Sequence, residues 1–248
     1  MINSPVNDIK RKNCAAWGVQ YSENLNCDIS LENLVIISDF LSKEINIKYC
    51  LFFGTLLGFV RQEGFIAHDQ DTDIALFDIS EDFIARLKKK LIKEEFYIFR
   101  DDTVILSAMK KGEYIDFYKF YKVGNYFQSE YFIFPVDLFI KFIDVELADG
   151  HKVKIPEDST KILELLYGET WRTPLKSHHA SGLINGKNSR LNFKLYLILY
   201  NFYIKGMTSE TPLRFIMNNR FTRLIVIIFN SVFDFIYSVF KKLIRKNL

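Results

Sequence analysis

The chain has 248 residues, 49% of them hydrophobic and 25% charged, enough for a sizeable core in one large domain or one domain with an appendage. Its net charge of +3 conceals two opposed parts: residues 190–248 carry ten Lys or Arg against Glu210 and Asp234, whereas residues 1–189 are net acidic. Three cysteines, Cys14, Cys27 and Cys50, without paired spacing or nearby metal-ligand histidines, exclude a disulfide scaffold and read as free thiols in a reducing compartment. The opening Met1-Ile2-Asn3-Ser4-Pro5 lacks an apolar core of signal-peptide length, so a cytoplasmic location is expected. There is no internal repeat and no low-complexity linker.

In chain order, residues 1–30 are polar and punctuated and carry no assignable role. Ser30 is expected to cap a helix from Leu31 to about Glu44, with Leu34, Ile37, Phe40 and Leu41 on its apolar face. Ile45 to Phe53 is apolar, aromatic and β-branched, and reads as a buried strand entering a turn at Gly54. Gly54 to Val60 then opens a short helix. Gly54 and Thr55 at its N-terminus would leave backbone N–H groups free for phosphate oxygens, and Arg61 would reach the same anion.

Next come Asp69, Asp71 and Asp73, at every second position. On a strand they would share one face, with neighbours about 6–7 Å apart. Like charges so placed repel and raise each other's pKa unless a cation sits among them. A hard divalent ion with oxygen ligands fits, Mg2+ especially, since it uses one or two carboxylates plus substrate phosphates. Two other patterns are weighed by spacing. An EF-hand loop starting at Asp69 would need Gly and Glu where Ile74 and Ser80 stand, so it fails. An Asp-x-Asp glycosyltransferase normally places a long nucleotide-binding region first, and only about seventy residues precede Asp71 here.

Glu81 to Glu95 has the period of an amphipathic helix, with Phe83, Ile84, Leu87, Leu91 and Ile92 inward. Tyr97 to Phe99 reads as a strand. Thr103 to Met109 and Tyr114 to Tyr121 read as a hairpin turning at Lys110-Lys111-Gly112-Glu113. Asp116 lies inside that second strand between Ile115 and Phe117, where an acid is costly unless paired or metal-bound. Tyr131 to Asp144 is an apolar run broken by Pro135, and Ala148-Asp149-Gly150-His151 reads as a hairpin turn. Ser159 to Tyr167 reads as a helix stopped by Gly168. In the polar loop beyond, His178 and His179 are candidates for phosphate contact or proton transfer.

Gly54-Thr55-Leu56-Leu57-Gly58, Arg61, Gly64-Phe65-Ile66 and Asp69-Gln70-Asp71-Thr72-Asp73-Ile74 together resemble the signature of the LicD/fukutin family. Ile115-Asp116-Phe117 is similar to its third acidic strand, and Tyr167-Gly168-Glu169-Thr170-Trp171-Arg172-Thr173-Pro174 to its Tyr-Gly-x-x-Trp-x-x-Pro element. Ala67, His68 and Gln70 depart from the Pro, Trp and Asp common in the family, which bears on substrate identity more than on activity. The resemblance runs from about residue 31 to 180.

The resemblance implies an α/β (α+β) nucleotidyltransferase-like core over residues 1–189, a mixed sheet flanked by helices with acids on adjacent strands. It implies transfer of a phospho-alcohol, such as phosphocholine, from a CDP-activated alcohol donor to a hydroxyl of a cell-surface glycan or glycolipid acceptor, releasing CMP. Asp71 and Asp73 would hold Mg2+ (or Mn2+). Asp116 and Asp69 would complete the metal site or take the acceptor's proton. Another nucleotidyl- or glycosyltransferase, or a non-catalytic scaffold, is the alternative, and no nucleic-acid partner is expected.

Residues 190–248 are expected to be a basic, apolar, helical appendage outside the resemblance. From Phe221 to Leu243 and just beyond, Arg223, Asn230, Asp234, Ser238, Lys241 and Arg245 make a narrow polar stripe on a wide apolar face. Asn230 and Asp234 near its middle argue against a spanning helix. The basic charge favours an anionic membrane surface, with the protein peripheral on the inner face.

Overall fold

The apolar runs around the acidic motif become the two central strands of a mixed sheet. The computed structural model describes residues 5–123, 125–129, 132–147 and 150–174. In it α1 (Pro5–Trp17) and α2 (Cys27–Lys43) precede β1 (Lys48–Leu51), and α3 (Phe53–Gln62) leads to β2 (Thr72–Phe77). Then follow α4 (Glu81–Lys93), β3 (Tyr97–Asp101), β4 (Ile105–Lys110) and β5 (Glu113–Val123). β6 (Tyr126–Ser129), β7 (Phe132–Pro135), a 3-10 turn (Val136–Phe139), β8 (Phe142–Glu146), β9 (Lys152–Pro156) and α5 (Ser159–Tyr167) complete the order.

The main path of the sheet is β1-β2-β5-β4-β3, and β6 and β7 continue from the far end of β5. β2 and β5 run parallel; the other pairings are antiparallel. All six residues of β2 are buried, as a central strand packed on both faces requires. β8 and β9 form a separate hairpin closing near Gly150, as the turn residues predict.

Helices cover the sheet with the stripes read from the sequence, except that Ile92, expected to face inward, is exposed on α4. α4 buries Phe83, Ile84, Leu87 and Leu91. Ser80 caps it by accepting from the Phe83 N–H at 3.2 Å, and its acids sit in the first turn and its lysines in the last, matching the helix dipole. Burial of each such side chain contributes about 1.5–3 kcal/mol. The many phenylalanines also have a place. Phe52 meets Phe120 and Phe134 edge-on at 5.3 and 5.4 Å, and Phe77 lies 4.6 Å from Phe139. These rings tie the β1–α3 junction to β5, β7 and the 3-10 turn.

Several expectations are corrected. Helix α1 occupies the polar stretch that carried no assignment. α2 starts a turn earlier than expected and is capped by Asn26, whose Oδ1 accepts from the Ile29 N–H at 3.2 Å, while Ser30 is buried inside the helix. The strand before Gly54 is shorter than Ile45 to Phe53: Ile45 is exposed, and Phe53 already belongs to α3. β2 begins only at Thr72, so Asp69 and Asp71 lie in the segment leading to the strand and Asp73 alone is on it. The run from Tyr131 to Asp144 divides into β7, the 3-10 turn and β8. All three cysteines are free. His178, His179 and the basic segment 190–248 lie outside the described residues.

Candidate active site

Asp73 on β2 and Asp116 on β5 are register partners across the parallel pair. Directly opposed residues on strands about 4.8 Å apart present their side chains on one face. Asp73 is 4% and Asp116 8% exposed. Asp71 and Asp69, both half-buried, approach from the segment before β2. The sheet thus gathers the four aspartates singled out by sequence at one end of its two central strands.

Asp73 is built into the start of α3. Its backbone N–H donates to Thr55 Oγ1 at 2.8 Å, its carbonyl accepts from the Phe52 N–H at 3.0 Å, and its Oδ2 accepts from the Gly54 N–H at 3.1 Å. Phe52, the residue before the helix, makes no side-chain cap, so the Asp73 carboxylate serves as one, at the positive end of the helix dipole. The Gly54 N–H expected to be free for a phosphate is therefore committed to Asp73. Gly54 has a second function: a Cβ there would overlap Asp69 Oδ2. Gly58 acts alike one turn on, since a Cβ would overlap the Gly64 carbonyl oxygen and press on Ile66. These close approaches hold the Asp69–Asp71 segment against α3.

Electrostatics follow from crowding acids away from water. Burial, then the Asp116 and Asp69 charges, push Asp71 up to about 8, opposed by a hydrogen bond from the Tyr114 hydroxyl. Asp73 is raised well above the usual range by burial and then by Asp71, Asp69 and Asp116. Burial lifts Asp116 to about 6, against a hydrogen bond from Ser107, its register partner on β4. Asp69 is raised too, chiefly by burial. Asp116 Oδ1 is buried without a hydrogen-bond partner. An unpaired buried carboxylate oxygen beside other acids calls for a proton or a cation.

The donor set bears on which cation fits. Among the described residues no three His, Cys, Asp or Glu side chains are gathered closely enough to hold an ion by themselves. An ion that takes one or two carboxylates and completes its shell with substrate phosphates and water, as Mg2+ does, suits these all-oxygen, all-acidic donors.

Other residues at the site were not singled out from the sequence. Tyr114, Tyr118 and Tyr167 are held neutral by burial first and by the neighbouring aspartates next, so each offers a phenolic O–H rather than a charge. Strand alternation carried the signal for two of them, because Tyr114 and Tyr118 flank Asp116 at two-residue steps on its own face. Ser107 was legible from hairpin register once Lys110 is paired with Glu113. Arg61, in the last turn of α3, stands near Tyr167 and favours its ionised form. Trp171 is buried with the Arg172 guanidinium 4.1 Å from its ring centre, which seats the end of α5.

Residues 46–171 match the family described as LicD/FKTN/FKRP, nucleotidyltransferase domain. The chain belongs to this family. The match covers β1 through α5 and all four aspartates. The ribitol-5-phosphate transferase FKTN of Mus musculus is 24% identical over 151 residues, covering 54% of this chain and 32% of that protein. FKTN of Homo sapiens is 25% identical over 153 residues, covering 54% and 31%. The chain thus spans about a third of the length of the curated relatives it matches. Among solved structures, ANT(2″)-Ia in complex with adenylyl-2″-tobramycin aligns with a TM-score of 0.36 at 9% identity, over 70% of this chain and 88% of that one. An antigenic nucleotidyltransferase-like protein from Paracoccidioides brasiliensis aligns with a TM-score of 0.38 at 14% identity, over 73% and 93%.

Proposed function

We propose that this chain transfers a phospho-alcohol from a CDP-activated donor to a hydroxyl of a glycan or glycolipid, releasing CMP. The observation that carries the proposal is the register of Asp73 with Asp116 on adjacent buried strands, with Asp71 beside them and Asp116 Oδ1 unpaired. Membership of a family whose curated relatives are named ribitol-5-phosphate transferases supports the reaction class. It makes ribitol phosphate a candidate cargo alongside phosphocholine.

Asp71 and Asp73 are the residues that would hold Mg2+ or Mn2+. When bound, such an ion offsets the charge of the donor's diphosphate and stabilises the departing phosphate. The chain's own residues do the rest. Gly54 fixes the Asp73 carboxylate, and Tyr114 fixes that of Asp71. Asp116, at about 6, is close to the pKa that suits a general base near neutral pH. As the acceptor oxygen bonds to the phosphorus bearing the alcohol, its proton passes to Asp116 Oδ1. The bond from that phosphorus to the bridging oxygen breaks, and CMP carries the electron pair away. Arg61, on the α3 side, meets the negative charge of the donor.

The test is a panel of CDP-ribitol, CDP-choline and CDP-glycerol, with CTP and UDP-sugars as counter-substrates, scored by the nucleotide released in the presence of candidate glycans. CMP from one of the CDP-alcohols is expected. Pyrophosphate from CTP would instead make the chain a nucleotidyltransferase, and UDP from a sugar donor a glycosyltransferase.

A further inference from the structure

Residues 5–33 precede the segment that matches the family, yet their polar side chains converge on the turn between β4 and β5. Lys10 is 2% exposed and Glu113 3%; Lys10 Nζ lies 3.2 Å from both carboxylate oxygens of Glu113. Asn13 Oδ1 accepts from the Gly112 N–H at 2.7 Å, and Asn33 Nδ2 donates to the Lys110 carbonyl at 3.0 Å. From the same region the Leu25 N–H donates to the Asp69 carbonyl at 2.9 Å. The N-terminal segment therefore grips both the hairpin that carries Asp116 and the segment that carries Asp69 and Asp71.

A buried ion pair is a poor source of net stability, because desolvating two charges consumes most of their attraction. The site offers another use for it. The residue after Glu113 is Tyr114, 9% exposed, with its ring edge-on to Phe99 at 5.6 Å. One step before the Thr72–Ile115 and Asp73–Asp116 register pairs, it stands beside Asp71. We propose that Tyr114 is a positioning residue that aims the Asp71 carboxylate, and that α1 holds it in place through the Lys10–Glu113 pair. The proposal rests on Asp71 being a metal ligand. A phenol bonded to one carboxylate oxygen leaves the other to face the ion and stops the carboxylate from turning. The clamp at Glu113 keeps the start of β5 from shifting along β4. Partners of metal ligands in this role typically change metal affinity by about 10–100-fold when removed.

The experiment measures Mn2+ binding to the full chain, with no nucleotide present, by the loss of free-ion signal in electron paramagnetic resonance. Tyr114→Phe keeps the ring and removes the hydroxyl. It should weaken Mn2+ binding about 10-fold or more while thermal unfolding stays within a few degrees of the parent protein. The double variant Lys10→Met/Glu113→Gln, which removes both buried charges together, should also weaken binding. Unchanged affinity in Tyr114→Phe overturns the positioning role. Unchanged affinity in the double variant, with Tyr114→Phe impaired, overturns the role of α1. Asp71→Asn separates the two levels: if it binds Mn2+ as the parent does, the metal reading of Asp71 fails and this proposal with it.

Discussion

Asp116 differs from Asp73 in having one carboxylate oxygen buried with nothing to bond, whereas Asp73 is fastened to Gly54. In the proposed reaction, that difference is the reason for giving the proton to Asp116. Asp116→Asn should lower turnover by roughly 10²-fold or more, the usual contribution of a general base, with Mn2+ affinity falling much less. Loss of thermal stability with turnover intact would make Asp116 structural. The raised carboxylates also set a pH dependence. Asp71 and Asp116 stand at about 8 and about 6, against 3.8 in a free carboxyl. Between those limits the folded, metal-free protein binds more protons than the unfolded chain, so stability falls as pH rises from about 4 to about 8. Unfolding temperature after EDTA treatment, followed from pH 5 to 8.5, should decline; excess Mg2+ should flatten the decline by competing with the protons. A metal-free profile that rises with pH would contradict the crowded site.

At the scale of elements, the motif's glycines separate by what surrounds them. Gly58→Ala sets a Cβ against the Gly64 carbonyl, so α3 or the acidic segment must move. A cost of about 1–3 kcal/mol is expected, with reduced turnover as Asp69 and Asp71 shift. Gly64→Ala meets open space and should stay within about 0.5 kcal/mol. Equal effects in calorimetry would refute the contact. The same elements show what the sequence disclosed. α4, the β4–β5 hairpin and α5 were legible because period, cap and turn residues are local. Asp73 and Asp116 were legible as site candidates because acids interrupt apolar strands, and the register brings them together. The onset of β2 at Thr72 was not, since alternation in Asp69-Gln70-Asp71 imitates a strand while that segment lies against α3. α1 was hidden because its decisive residue, Lys10, finds Glu113 across 103 positions of sequence. Asn26 displaced Ser30 as the cap of α2 because both are capping residues one turn apart, and the burial of Ser30 settles which is used.

For the whole molecule, the family domain occupies 46–171, with α1 and α2 ahead of it and the basic segment behind. No helix among the described residues is long and apolar enough to cross a membrane. The sequence stripe over Phe221–Leu243 motivates a separate expectation: full-length protein should float with vesicles containing phosphatidylglycerol and be released by salt, as interfacial binding by a basic amphipathic segment requires. Equal flotation with neutral and anionic vesicles, or none, would argue against it. In the proposed reaction the Asp71–Asp73–Asp116 cluster cleaves a CDP-linked phospho-alcohol. Phosphorus NMR of the purified chain with Mg2+, a CDP-alcohol and a glycan acceptor tests it most directly. CMP and a new phosphodiester should grow in equal amounts, and both should vanish in a folded Asp73→Asn protein. Release of CDP with no phosphodiester, or full turnover in Asp73→Asn, would rule this chemistry out.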